Sequence, residues 1–74
     1  MECIYMITQF AQTLRELMDE CQINAATLSR ETGISTAAIY LYLAGKREPR
    51  LTYLCLLAEY FDVSMDVLTG KSHY

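Results

Sequence analysis

At 74 residues the chain allows one domain with a small core and excludes a second, and its 53% hydrophobic and 20% charged composition is that of a folded protein rather than a disordered one. The net charge of −3 excludes a surface that is basic throughout, yet the charge is uneven: residues 30 to 50 hold four basic side chains against two acids, while the rest holds Arg15 and Lys71 against seven acids. Three widely spaced cysteines, Cys3, Cys21 and Cys55, and one histidine, His73, near the end of the sequence argue against a four-ligand zinc cluster or a held Cys-His pair, so no metal, cofactor or catalytic residue is expected.

The opening residues 1–7 are apolar but carry Glu2 and no basic run, which reads as a short apolar extension rather than a signal peptide, with a weak strand-like alternation at 3–7. No apolar run approaches the roughly 18 residues of a membrane span, and a cytoplasmic location is expected. The domain proper is read as residues 8–70. A first helix over 8–21 aligns Phe10, Leu14, Leu17, Met18 and Cys21 on one stripe, with Thr8 as its N-cap and Arg15, Glu16, Asp19 and Glu20 outward. Asn24 caps a short second helix, Ala25 to Thr32, that Gly33 ends. Only Ile34 separates that glycine from Ser35, a second good N-cap, so a third helix, about Thr36 to Ala44, starts at once and at a steep angle until Gly45 stops it. After Lys46-Arg47-Glu48-Pro49 a fourth helix, Leu51 to Phe61, turns Leu51, Leu54, Leu57, Ala58 and Phe61 inward. Ser64 caps a last turn, Met65 to Thr69, that packs Val67 or Leu68 on the core; residues 71–74 read as a frayed tail.

Ala25 to Tyr40 therefore forms a helix, a tight turn and a second helix, with Leu28, Ile34 and Ile39 where the two must touch, Ser29 small at the crossing, and Gly33 at a turn position that strains a side chain. With these residues the chain resembles the Cro and phage-repressor (Xre-type) helix-turn-helix family, from Phe10 to Lys71. Leu14-Arg15-Glu16-Leu17 is similar to that family's first helix, Gly45-Lys46-Arg47-Glu48-Pro49 to its post-recognition loop, and Leu57 to Ser64 to its closing helices. The resemblance implies an all-α, five-helix, lambda-repressor-like DNA-binding domain. It also implies a sequence-specific, double-stranded DNA-binding transcriptional regulator of phage or prophage type, a repressor acting as a homodimer, with no catalytic role and no small-molecule effector. Mapped by the motif, the base-reading residues are Thr36, Ala37 and Tyr40. Phosphates fall to Lys46, Arg47, Arg50 and Arg15, with the amides of Asn24 and Ala25 at a helix N-terminus.

The chain departs from the family pattern in ways that keep a second function open. Ala25 stands where the family often has a glutamine that grips phosphate, Leu43 where a glutamate commonly pairs with the arginine matched by Arg15, and Leu41 where a polar or basic residue faces the groove. The recognition helix carries no charge. On the fourth helix Tyr53, Leu56 and Tyr60 recur on a face opposite the core stripe, a possible dimer or partner surface that Ile4 to Ile7 would extend. The alternative is thus a helix-turn-helix fold turned to protein binding, as in an antirepressor or phage-encoded inhibitor.

Overall fold

The computed structural model describes the backbone of residues 2–69 and the side chains of residues 8–69. Five helices follow one another: α1 (Glu2–Cys21), α2 (Ala25–Thr32), α3 (Thr36–Leu43), α4 (Leu51–Phe61) and α5 (Met65–Thr69). No strand occurs among the described residues. Helix α1 lies against α3 and α5, α2 crosses α3 and touches α4, and α4 closes on α5. The core they enclose contains Phe10, Leu14, Leu17, Met18, Leu28, Ile34, Ile39, Tyr42, Leu54, Leu57 and Leu68.

Three of the four connections use one three-residue device. Gln22-Ile23-Asn24, Gly33-Ile34-Ser35 and Asp62-Val63-Ser64 each supply a residue at positive φ, an apolar residue turned into the core, and an N-cap for the next helix. The positive φ (57° at Gln22, 81° at Gly33, 58° at Asp62) reverses the backbone. The amides of Gln22, Ile23, Gly33, Asp62 and Val63 then return to carbonyls of the helix just ended, at 2.8 to 3.3 Å. Asn24 Oδ1 accepts from the Thr27 amide at 2.8 Å, Ser35 Oγ from Ala38 at 3.2 Å, and Ser64 Oγ from Val67 at 3.3 Å. A β-carbon at Gly33 would meet nothing within 4 Å, so the glycine answers to its backbone angle and not to crowding.

Helix α1 corrects the expected start. It is continuous from Glu2, so the strand-like alternation at 3–7 is helical backbone and Thr8 lies inside the helix rather than capping it. No glycine or proline breaks residues 2–21, and a short apolar run carries no period of its own to separate strand from helix. The side chains of Ile4 to Ile7, and the whole of residues 70–74, lie outside the described residues. Two residues of the expected inward stripes face solvent. Cys21 is exposed where the backbone reverses at the end of α1, and Leu51 is 68% exposed in the first turn of α4, beyond the reach of the neighbouring helices. Tyr53 and Tyr60 are half-buried against the core, not on its far side, and Leu56 is also half-buried. At about 100° per residue the two tyrosines lie together on one side of Leu57, roughly 40° and 60° from it, and Leu56, about 100° from Leu57, projects furthest of the three from the buried face.

The cost of a positive φ on a residue with a β-carbon gives a test. Gly33→Ala is expected to lower the unfolding free energy by about 1 kcal/mol and Gln22→Gly to raise it by about 0.5–1 kcal/mol, both read from urea midpoints at unchanged m-value. Equal and opposite neutrality, with neither midpoint moving, would contradict the turn assignment.

Candidate nucleic-acid interface

Helix α3 is aimed by its two ends. At its start Ser35 caps it and the buried Ile34, wedged beside Leu28 and Ile39, sets its crossing with α2. At its finish the four carbonyls that no helical amide can reach are all satisfied. The Ala44 amide serves Tyr40, Lys46 serves Leu41, Gly45 (φ 70°) serves Tyr42, and Arg15 Nη2 donates to Leu43 O at 2.7 Å. Arg15, reaching across from α1, thus takes a backbone oxygen at Leu43, the residue where the resemblance led one to expect a glutamate. A guanidinium at a helix C-terminus is favoured by the helix dipole, so the leucine is tolerated without leaving the arginine unpartnered.

Burial then sorts α3 into faces. Ala38, Ile39 and Tyr42 turn inward, Leu41 and Leu43 are half-buried, and Thr36, Ala37 and Tyr40 are exposed. Tyr40 stands out at 62% exposure: among the described residues, the other large apolar side chains, Leu51 excepted, are covered. The three residues expected to read bases therefore share one exposed sector at the start of α3.

The residues expected to hold phosphates are spread around that sector. Lys46, Arg47 and Arg50 are exposed on the segment between α3 and α4, and none forms an ion pair among the described residues. Asn24 spends its side chain on the α2 cap, leaving the amides of Ala25 and Ala26 in the first turn of α2 without intrahelical acceptors. The Ala25 methyl is buried, so at this position only the amide is available to a partner. Arg15 is exposed but has one arm committed to Leu43 O.

Tyr42 is the residue that the sequence reading missed. It is 1% exposed, and its ring meets Phe10 edge-on with centroids 5.4 Å apart. Burial pushes its phenol above the ordinary value of 10.0, with a smaller push from Tyr53, against the pull of Arg47 and Arg50. Its spacing of three from Ile39 and four from Ala38 was the available signal that it shares the inward face.

No curated protein sequence matches the chain. The sequence model of a helix-turn-helix family matches residues 14–68. Among solved structures, a transcriptional regulator from Listeria innocua superposes with a TM-score of 0.79 at 29% identity, over 89% of this chain and 62% of that one. The chain thus spans less than two thirds of that regulator's length.

The Arg15 contact is open to test. Arg15→Met keeps the aliphatic stem and removes the donor, and it should cost about 1 kcal/mol in thermal unfolding, a loss that added salt does not abolish because the partner is a carbonyl. An unchanged unfolding temperature would show that the contact does not fasten α1 to α3.

Proposed function

The chain belongs to the Cro and phage-repressor (Xre-type) helix-turn-helix family, and on that premise we propose that it is a sequence-reading regulator of transcription that binds double-stranded DNA and does no chemistry on it. The observation that carries the reading is the exposed, uncommitted sector of Thr36, Ala37 and Tyr40 at the start of a helix whose remaining side chains are buried or half-buried, bordered by Lys46, Arg47 and Arg50. Lying in the major groove, Thr36 exchanges a hydrogen bond with a base edge, Ala37 touches a thymine methyl, and Tyr40 offers both a hydroxyl and a flat apolar face. Lysine and arginine beside the helix and the free amides at the start of α2 hold phosphates on either side. Because no bidentate arginine, asparagine or glutamine reaches a base, discrimination per base pair is modest. Affinity then leans on phosphates and therefore on salt.

A domain this small covers few base pairs, and the family's usual solution is a dimer on a two-fold symmetric operator with half-sites about 34 Å apart. Leu56 with the half-buried Tyr53 and Tyr60 on α4 is the apolar edge on which a second copy would pair. Repression would be steric, by occupying a promoter. A second reading, docking to another protein, is favoured by one observation: α3 is uncharged and its most exposed large side chain is the tyrosine, Tyr40, with Leu51 exposed nearby in sequence.

Selection from a random duplex pool tests both. The DNA reading expects enrichment of a short palindrome that persists at physiological salt. Lys46→Ala combined with Arg47→Ala should weaken binding to all duplexes and reduce the slope of log affinity against log salt by about 2, whereas Thr36→Ala should relax sequence preference with a smaller affinity loss. No enrichment by folded protein would shift the assignment to a protein partner.

A further inference from the structure

We propose that the cavity between the turn of the helix-turn-helix and the start of α4 binds a small organic anion, a carboxylate or phosphate carried on a flat apolar body, and that its occupancy weakens DNA binding. The second half rests on the DNA-binding reading above. The sequence alone implied no effector, and what changes this is an arrangement that only the fold assembles. The cavity is about 530 Å³, within the range of small-molecule sites, and its walls include Ser35, Ala38, Tyr42, Arg47, Arg50 and Tyr53.

Three features converge there. Tyr42 is almost wholly buried, with its ring fixed against Phe10, yet its hydroxyl makes no hydrogen bond to any described residue and the side chain lines the cavity. No buried side-chain oxygen or nitrogen lacks a partner among the described residues, so this hydroxyl is not sealed in: the ring is covered, and its polar tip is the part that solvent, or a ligand in the cavity, can reach. Arg47 and Arg50 stand in the same wall without ion-pair partners among the described residues, and with Glu48 as the one acid among the described lining residues the site keeps a positive balance. Finally, Arg50 occupies the N-cap position of α4 without a side-chain cap, so the amides of Leu51, Thr52 and Tyr53 keep their partial positive charge at this corner. The two phenol rings and Ala38 supply the apolar surface, and the guanidinium groups and amides receive the acid group.

This is not the sector assigned to bases. Counted round α3 from Thr36, Ala37 and Tyr40 lie at about 100° and 40°, whereas Ala38 and Tyr42 lie at about 200° and 240°. The two sites share Arg47 and Arg50. An anion that draws those guanidinium groups inward withdraws them from phosphate, and it does so against Ser35, which caps the recognition helix.

Calorimetric titration of the folded chain with salicylate, with inorganic phosphate as a second probe and chloride at matched ionic strength as control, tests the site without DNA. The expected result is saturable one-to-one binding of salicylate, weakened about 3- to 10-fold by Tyr42→Phe and more by Arg50→Ala, which also serves if Tyr42→Phe does not fold. Salicylate binding no better than chloride, or unchanged in the folded variants, overturns the site. Saturable binding of phosphate alone overturns the organic ligand, because the corner then serves bare phosphate, as DNA would supply it. In a second arm, saturating salicylate should lower duplex affinity about 10-fold for the wild type, and Tyr42→Phe should need correspondingly more ligand. Unchanged duplex affinity in the presence of bound salicylate overturns the regulatory half. A chain that binds salicylate and no duplex at all would instead refute the DNA reading and leave the cavity assignment standing.

Discussion

Ile34 is the residue around which the rest is arranged. Gly33 reverses the chain at φ 81°, Ser35 begins the next helix, and the single side chain between them has no exposed surface. Burying an isoleucine of this kind contributes about 1.5–3 kcal/mol relative to leaving it in water. In a small domain, whose whole stability is on the order of 5 kcal/mol, that contribution decides between the observed crossing and any splayed alternative. Helix α3 is eight residues long, too short to persist alone in water, so it exists because Ile34, Ala38, Ile39 and Tyr42 bury it. Its exposed sector is what remains after those positions have been assigned.

The other end of α3 shows how a fold compensates for a substituted partner. A backbone carbonyl at Leu43 takes the arginine that a glutamate would otherwise hold. This preserves the link between α1 and α3 while removing a negative charge from beside the positively charged segment. The same economy runs through the domain: seven of the nine acids lie on α1 or from α4 onward, and only Glu31 and Glu48 fall in the basic stretch that holds Lys46, Arg47 and Arg50. A net charge of −3 is therefore compatible with a locally attractive face for phosphate.

Helices two, four and five were legible to the residue, because Asn24, Ser35, Ser64, Gly33 and Pro49 are punctuation with a local physical meaning. The start of α1 was not, since Glu2 to Ile7 carries neither a break nor a clear period. Cys21 and Leu51 were placed inside because a helical wheel repeats without knowing where the neighbouring helices stop. Within the interface, the exposure of Thr36, Ala37 and Tyr40 followed from the motif, but the bond from Arg15 could not be foreseen, because a carbonyl has no letter in the sequence. The cavity around Tyr42 needed the packing of α3 beside the start of α4, residues that the sequence gives no reason to bring together.

The DNA-binding proposal requires the exposed sector of α3 and its basic border to meet the duplex. Amide chemical-shift mapping on adding a short duplex at low salt tests it most directly. The largest changes are expected at Thr36, Ala37, Tyr40, Lys46, Arg47 and at Ala25 and Ala26, with Leu56 and Tyr60 unmoved by the duplex itself. Changes centred on α4, or none at a protein concentration where phosphate contacts alone should bind, would contradict it.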